Sequence, residues 1–304
     1  MTFFDYLKNI FLILIFLQLA PALVKNIKKQ YIKFIIPKEK VAVIEVKGLL
    51  YKSNRYNKYL NKYFKDDSIK AILIKMDCAG GAAGTAQSIF TEIQILKKKY
   101  NKPVITLIEN ISASGGYYLA TATDYIIAPA SSLIGSIGAS FQYLFQLHEF
   151  IEQYKIKYKS VAAGTYKNTT DPFIDMTPDQ EKMLKGVLDS SYSQFAADVA
   201  KNRKLSLKDK EKWADGKIFT GNQALKLGLI DALGSPYLAT TIIREKAMIE
   251  EDKEIEWVKP PKKDGFLGLF SGRDSDNSED SMFSNFMTEL CIFLENRYLK
   301  KQVV

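Results

Sequence analysis

The chain of 304 residues contains one histidine and two cysteines, so the side chains that most often bind transition metals are nearly absent. Structural and catalytic zinc sites are built mainly from cysteine and histidine. His148, Cys78 and Cys291 are too few and too scattered to form such a site. Two cysteines also cannot build a disulfide framework. We therefore expect no metal, no disulfide scaffold, and a small buried thiol at Cys78.

Nucleotide-binding fingerprints and arginine clusters are absent as well. The sequence has neither the P-loop pattern nor the Gly-x-Gly-x-x-Gly pattern that cradles a dinucleotide. The net charge is +9, but the lysines are spread along the chain and far outnumber the arginines. Scattered lysines are typical of a solvated surface rather than of a nucleic-acid interface. We expect no cofactor and no nucleic-acid partner.

A hydrophobic segment near the start of the chain runs from Ile10 to Val24 with only two interruptions. As a helix it would be about 22 Å long, and residues 2–7 would bring it close to the roughly 30 Å of a hydrocarbon core. The basic flank at 25–33 would favour anionic lipid. Residues 1–34 are therefore predicted to be an uncleaved membrane anchor. A signal peptide cleaved near Ala20–Ala22 is the alternative.

The C-terminal part of the chain combines an acidic, polar stretch with an apolar one. Residues 251–281 are predicted to be a linker, because Pro260-Pro261 breaks regular structure and Asp274–Ser281 is acidic and polar. Residues 282–304 carry apolar side chains at helical spacing, which predicts an amphipathic helix. That helix would dock on its own domain, on a neighbouring subunit or on a membrane.

Residues 35–250 form the predicted globular domain, in which strands and helices alternate. Near-continuous apolar runs predict buried strands at Val41–Val46, Ile69–Ile74, Val104–Ile108 and Tyr125–Ile127. Helices are predicted at Tyr56–Phe64, Ala86–Lys98, Gly116–Thr123, Phe141–Tyr154, Thr177–Asn202 and Thr220–Asp231. This alternation indicates a layered α/β core. Sites in such folds collect at the carboxyl ends of the strands.

Ser114 is the first candidate for chemistry, because it precedes Gly115 and Gly116 directly after a predicted strand. A tight turn there would expose the hydroxyl and free the next backbone N–H, as an acyl-transfer nucleophile requires. The nucleophile also needs a base. The chain has only His148 as a histidine, and a neutral lysine in apolar surroundings is a substitute. Ser112 is a fallback nucleophile.

Five short motifs occur in order and together resemble the signal peptide peptidase A (SppA) family of the Clp-protease/crotonase superfamily: AGG at 79–81, ASGGYYLA at 113–120, GSIGA at 135–139, GTYK at 164–167 and GKIFTGNQALKLGLID at 216–231. The resemblance covers roughly Val41 to Leu233 and implies a layered α/β core of the Clp-protease/crotonase type. The predicted fold adds to this core the N-terminal hydrophobic anchor and the C-terminal helical appendage. Within it, 35–250 would be a Ser-Lys peptidase domain.

The resemblance also assigns roles to residues of this chain. Ser114 takes the position of the nucleophile and Lys167 that of the general base, while Gly80 or Gly81 and Gly115 would supply the oxyanion N–H groups. Ser136 is a candidate for orienting the lysine amine. One departure concerns the residues before the first Gly-Gly, where the family usually has Ser-Pro or Thr-Pro and this chain has Cys78-Ala79. Without the proline, the loop loses a fixed φ.

The expected function is that of a membrane-associated serine endopeptidase that degrades cleaved signal peptides or other membrane-derived peptides. Its partners would be peptide substrates, membrane lipid and further copies of the chain. The side of the membrane stays open, since the positive-inside rule and the family resemblance disagree. The sequence also leaves open whether Ser114 and Lys167 meet within one chain. The alternatives are an inactive peptidase-like scaffold and a crotonase-type acyl-CoA hydratase or isomerase.

Overall fold

The computed structural model describes residues 10–11, 13–21, 24–25, 38–141 and 144–261. Within these residues the strands are β1 Glu39–Leu50, β2 Ile69–Gly81, β3 Val104–Ala113, β4 Tyr125–Ala128, β5 Leu133–Gly135, β6 Ile218–Thr220, β7 Ala232–Leu233 and β8 Ile255–Val258. We label the helical residues 10–11, 13–21 and 24–25 as α1. The other helices are α2 Asn54–Lys65, α3 Ala83–Tyr100, α4 Gly115–Ala120, α5 His148–Gln153, α6 Pro178–Arg203, α7 Lys210–Trp213, α8 Gly221–Lys226 and α9 Pro236–Ala247, with a 3₁₀ turn at Leu207–Asp209.

All eight described strands belong to one sheet with the order β6-β5-β3-β2-β1-β8. Off this order, β4 pairs with β3, and β7 pairs with β4. The pairings are parallel except for that between β5 and β6. β3 pairs with β4 at Ile105–Leu107 and with β5 at Ile111–Ala113. Its carboxyl end therefore leaves β4 and turns towards β5, which is where Ser114 follows.

Helices cover both faces of the sheet, so the strands are buried on two sides. The larger core cluster joins the sheet to α2, α3, α4 and part of α6. The smaller cluster joins Val41, Leu73 and Ile105 of the sheet to Ala239 and Ile243 of α9. Burial on both faces explains the near-continuous apolar runs of β1 to β3. The mixed α/β core predicted from the sequence is confirmed.

The predicted elements lie inside the observed ones for β1 to β4, α2 and α3. The helix predicted for Phe141–Tyr154 was too long, since α5 covers only His148–Gln153 and residues 144–147 are not helical. Phe141 and Phe145 are exposed, so they have no core on which a helical face could pack. The short strands β5 to β8 were not predicted, and β8 lies in the stretch that was predicted to be a linker.

The start of α6 follows its sequence signal. The Thr177 hydroxyl caps the helix by accepting a hydrogen bond from the Gln180 N–H, and the Gln180 side-chain oxygen accepts one from the Thr177 N–H. Pro178 occupies the first turn, where its missing N–H costs nothing. Only the second half of the helix packs on the core: Phe195 is buried whereas Val187 is 50% exposed.

Much of the predicted anchor at 1–34 and of the predicted 251–281 linker, and all of the helix predicted at 282–304, lie outside the described residues. The described part of α1 carries exposed apolar side chains, including Phe11, Phe16 and Leu17. Over the described part of the chain, no helix combines the length and the apolar character needed to span a membrane. The anchor stays a prediction.

Candidate active site

Ser114 lies at the junction between β3 and α4 in a strained backbone conformation, with φ 50° and ψ −125°. Residues other than glycine rarely adopt a positive φ. Hydrogen bonds hold the turn on both sides, because the Ser114 N–H donates to the Gly135 carbonyl at 2.8 Å and the Ser114 carbonyl accepts from Tyr118 at 2.9 Å. The Ser114 side chain makes no capping bond to α4. Helix capping therefore does not explain this serine.

Gly80 and Gly81 are the last two residues of β2, lead into the loop before α3, and lie directly against Ser114. Their φ angles are 128° and 142°. A Cβ on Gly80 would lie 2.8 Å from the Ser114 Cβ and 3.1 Å from its Oγ, while a Cβ on Gly81 would lie 2.3 Å from the Leu50 carbonyl oxygen. Only glycine fits at either position. The loop approaches the serine so closely because it carries no side chains.

The two glycines differ in what their N–H groups do. Gly80 is buried, and its N–H donates to the Cys78 Sγ at 3.4 Å. Gly81 is exposed and lines the same cleft as Ser114 and Gly115. A Cβ on Gly115 would lie 3.6 Å from the Gly81 nitrogen, so the two backbone segments are in contact. Of the two predicted donors in this loop, Gly81 is the one beside the cleft.

Ser114 opens into a cleft of about 1340 Å³. Its walls combine small residues and apolar side chains, among them Leu49, Val187 and Phe195, with uncharged polar side chains such as Gln87 and Gln194. Among the described residues, none of those that line the cleft is Asp, Glu, Lys, Arg or His. The cleft therefore favours uncharged ligands over charged ones.

Ser136 lies beside Ser114 at the end of the neighbouring strand. It follows Gly135, whose carbonyl accepts the Ser114 N–H, and its own N–H donates to the Lys217 carbonyl at 2.7 Å. Like Ser114 it has a φ of 50°, and it lines the same cleft. The two serines thus occupy equivalent strained positions at the ends of two paired strands.

Lys167 lies apart from this group. It closes a turn in which its N–H donates to the Gly164 carbonyl at 3.1 Å, and its side chain is exposed. It does not line the cleft. Among the described residues no hydrogen-bond or ion-pair partner is present for its ammonium group. The single chain brings Ser114, Gly81, Gly115 and Ser136 together, but not Lys167.

The remaining candidates lie away from the cleft. His148 is 37% exposed, with its Nδ1 3.2 Å from the Asp175 carboxylate and its Nε2 3.5 Å from that of Glu152. Its place is on the surface among carboxylates, where it has no contact with Ser114. Ser112 is fully buried within β3. It cannot reach a substrate in the cleft as a fallback nucleophile.

Tyr118 belongs to the cleft and was not singled out from the sequence. Its ring packs on Phe195 of α6 with centroids 4.5 Å apart, and its hydroxyl donates to the Asp198 carboxylate. Burial, followed by the hydrogen bond to Asp198, raises the pKa of Tyr118. Tyr118 thereby ties the helix that follows Ser114 to α6. In the sequence, only its position one helical turn after Ser114 indicated that Tyr118 could lie near the site.

Comparison with known proteins finds a match to the family described as Peptidase family S49 over residues 96–250. A proposed protease of Synechocystis sp. is 33% identical over 229 residues, which cover 74% of this chain and 81% of that protein. The proposed signal peptide peptidase SppA of Enterococcus faecium is 27% identical over 207 residues, 68% of this chain and 60% of its own. Protease 4 of Haemophilus influenzae is 30% identical over 205 residues, 64% of this chain and 33% of its own.

Proposed function

Because the chain belongs to peptidase family S49, the SppA-like serine peptidases, we propose that it is a serine endopeptidase with a Ser-Lys dyad. Ser114 is the nucleophile and Lys167 the general base. The observation that carries this proposal is the strained turn at Ser114, which opens beside the Gly81 and Gly115 backbone into a cleft lined, among the described residues, by uncharged side chains. Such a turn exposes an oxygen nucleophile next to backbone N–H donors.

In the proposed reaction the neutral Lys167 amine takes the proton of the Ser114 hydroxyl as Oγ attacks the scissile carbonyl carbon. The N–H groups of Gly81 and Gly115 stabilise the oxyanion. The lysine then gives its proton to the leaving amine, and the C–N bond breaks to leave an acyl-enzyme. Water, deprotonated by the same amine, hydrolyses the ester and restores Ser114. Ser136 orients the Lys167 amine.

The substrate we propose is an apolar peptide, such as a cleaved signal peptide or another membrane-derived peptide. The support is the lining of the cleft, which carries no charged side chain among the described residues. A charged substrate side chain would lose its hydration there without gaining a partner. Leu49, Val187 and Phe195 would instead cover apolar side chains on either side of the scissile bond.

We further propose that the base reaches Ser114 from a neighbouring copy of the chain. Lys167 is exposed and does not line the cleft of its own chain. The first half of α6 and the residues before α5 expose apolar side chains, among them Val187, Leu144 and Phe145. Exposed apolar surface of this kind favours association. A homo-oligomer would bury it and desolvate the lysine.

The N-terminal segment is proposed to hold this peptidase at the cell membrane. The support is the exposure of the apolar side chains of α1, including Ile10, Phe11 and Phe16. Apolar side chains exposed over several consecutive turns partition into lipid. The basic residues at 25–33 would add attraction to anionic headgroups.

The two alternative functions fit less well. A crotonase-type hydratase or isomerase needs carboxylates beside the thioester, and no Asp or Glu lines the described cleft. The strained backbone of Ser114 costs about 1–3 kcal/mol, and its side chain does not cap α4. An inactive scaffold would not need such a serine.

Labelling with a serine-reactive fluorophosphonate tests the nucleophile directly. We expect labelling at Ser114 in the unmodified protein and none in Ser114→Ala, with peptide turnover reduced by roughly 10⁶-fold, as for loss of the nucleophile in other serine peptidases. His148→Ala is the matched control. It should keep turnover within about twofold, because surface substitutions away from a site change little.

Normal turnover in Ser114→Ala would show that another group attacks the substrate. An unmodified protein that is neither labelled nor active on apolar peptides would support the scaffold instead. A large loss in a folded His148→Ala protein would point to a histidine base.

A further inference from the structure

The carboxyl end of β2 departs from regular pairing just before it reaches the active site. Against β3 the register shifts between Met76 and Cys78, and against β1 it shifts between Lys47 and Leu49. Register shifts of this kind leave some backbone groups without a ladder partner. They occur at the residues that lead into Gly80 and Gly81. Beyond these shifts Gly80 and Gly81 pair again with Leu49 and Leu50 of β1, and the Ala82 N–H donates to the Leu50 carbonyl at 2.8 Å. Ala79, just before them, has no partner in either register, so a further restraint can act at this point.

The Cys78 thiol forms hydrogen bonds with both backbone groups of Gly80, the N–H and the carbonyl oxygen. The Gly80 N–H donates to Sγ at 3.4 Å, and the S–H donates to the Gly80 carbonyl oxygen at 3.4 Å. Cys78 is fully buried. Burial raises the pKa of the Cys78 thiol, so it keeps the proton that it donates. Sulfur hydrogen bonds are weak in water, but these two are shielded from it.

The same cysteine touches the turn that carries the nucleophile. A Cβ on Gly116 would lie 3.1 Å from the Cys78 Sγ and 2.6 Å from its carbonyl oxygen. On the other side, a Cβ on Gly80 would lie 2.8 Å from the Ser114 Cβ. The Cys78 side chain thus lies between the Gly80-Gly81 loop and the Ser114–Gly116 turn. A change in its position would move one oxyanion donor relative to the other.

We propose that Cys78 is a positioning residue for the oxyanion site, on the premise that Ser114 performs the acyl transfer proposed above. Its two hydrogen bonds fix the Gly80 peptide, and this fixes the direction of the Gly81 N–H relative to that of Gly115. Ala79 leaves φ free at the position before Gly80, and the thiol adds a restraint there to the pairing of Gly80 and Gly81 with β1. Cys78 itself does not line the cleft and does not contact substrate.

The test compares Cys78→Ala with the unmodified protein, using two ligands of the cleft. Ser114 Oγ adds to the carbonyl carbon of a peptide aldehyde and gives up its proton to the base. The C=O double bond becomes a single bond, and the aldehyde's own oxygen then occupies the oxyanion position, whereas a product peptide forms no such adduct. We expect kcat and aldehyde affinity to fall by about 10- to 100-fold, somewhat less than the loss of a whole donor. KM and the affinity for the product peptide should stay unchanged.

Two further variants separate positioning from packing. Cys78→Ser keeps a donor and an acceptor, so kcat should stay within about threefold of the unmodified protein. Ser112→Ala is the matched packing control: Ser112 pairs in register with Cys78 and is fully buried, but its hydroxyl has no hydrogen-bond partner among the described residues. It should keep full kcat and full aldehyde affinity.

Unchanged kcat in Cys78→Ala would overturn the proposal, and so would equal losses of aldehyde and product-peptide affinity, since these would mean a generally loosened cleft. If Cys78→Ala does not fold, the Cys78→Ser variant decides. Normal aldehyde affinity in folded Cys78→Ser would support the proposal, and weakened aldehyde affinity would overturn it. These outcomes test the role of Cys78 only if fluorophosphonate labels Ser114 in the unmodified protein. Absence of labelling and turnover in the unmodified protein would instead overturn the premise and the proposal together.

Discussion

Ser114 and Ser136 share a φ of 50° at the ends of β3 and β5. Each such conformation costs about 1–3 kcal/mol, which the surrounding structure must offset. Here the Ser114 N–H bonds to Gly135, and the Ser136 N–H bonds to Lys217. Hydrogen bonds to neighbouring segments therefore stabilise both strained conformations. These bonds fix the two serines at one edge of the sheet.

The sequence predicted part of this arrangement at the level of residues. Ser114 was identified because glycines follow it, and its position beside the cleft agrees with that reasoning. The choice between Gly80 and Gly81 could not be made, because it depends on a hydrogen bond from Gly80 to the Cys78 sulfur. A bond that depends on the path of the backbone is not visible in a motif.

Lys167→Arg tests the proposed base at the scale of one side chain. A guanidinium group stays protonated and cannot accept the Ser114 proton. We therefore expect Lys167→Arg and Lys167→Ala to lose turnover equally, by about 10²- to 10⁴-fold, the contribution of general-base catalysis. Steady-state peptide cleavage measures this loss.

Lys185→Arg is the matched control, because Lys185 is an exposed lysine that does not line the cleft. It should behave like the unmodified protein. Near-normal turnover in Lys167→Arg would rule out a lysine base at this position, whatever the result at Ser114.

At the scale of elements, the long strands and helices were predicted, whereas the short strands other than β4 were not. β1 to β3 have enough consecutive apolar residues to be recognised, and α6 has a complete capping signal at Thr177 and Pro178. β5, β6 and β7 have only two or three residues each. So short a stretch has no measurable period, and its strand state comes from pairing with distant partners. β5 is nevertheless the strand whose end carries Ser136.

Deletion of residues 1–37 tests the role proposed for the N-terminal segment. The shortened chain would begin at Lys38, immediately before β1, and would keep every strand of the described sheet. We expect the amount bound to anionic vesicles in a flotation assay to fall by more than about tenfold, because the exposed apolar side chains of α1 are removed. The unfolding temperature should not change.

Replacement of Phe11 and Phe16 by serine in the full chain is the matched control for length. It should reduce vesicle binding in the same direction, since both side chains are exposed on α1. Vesicle binding that survives the deletion would assign membrane contact to another part of the molecule.

At the scale of the whole molecule, the fold brings most of the proposed site residues together but leaves the proposed base, Lys167, apart. Parallel strands end at a common edge, and this was sufficient to predict that Gly81 and Ser114 lie together. Lys167 comes from a loop-rich stretch between β5 and α6, which no regular pairing fixes. Its position therefore depends on what covers that stretch. The sequence motif singles out Lys167, but it does not show which Ser114, that of its own chain or that of a neighbour, the lysine would serve.

Two inactive variants can restore activity in mixed assemblies if the dyad forms between chains. Ser114→Ala and Lys167→Ala are each expected to be inactive alone. When both are co-expressed in equal amounts, random assembly pairs an intact Ser114 with an intact Lys167 of a neighbour at about one site in four. We expect turnover near a quarter of that of the unmodified protein. A mixture of Lys167→Ala with the double variant has no such pair and should stay inactive. If differently tagged chains co-purify but no turnover returns, Lys167 must serve the Ser114 of its own chain, and the exposed loop must close over its own cleft.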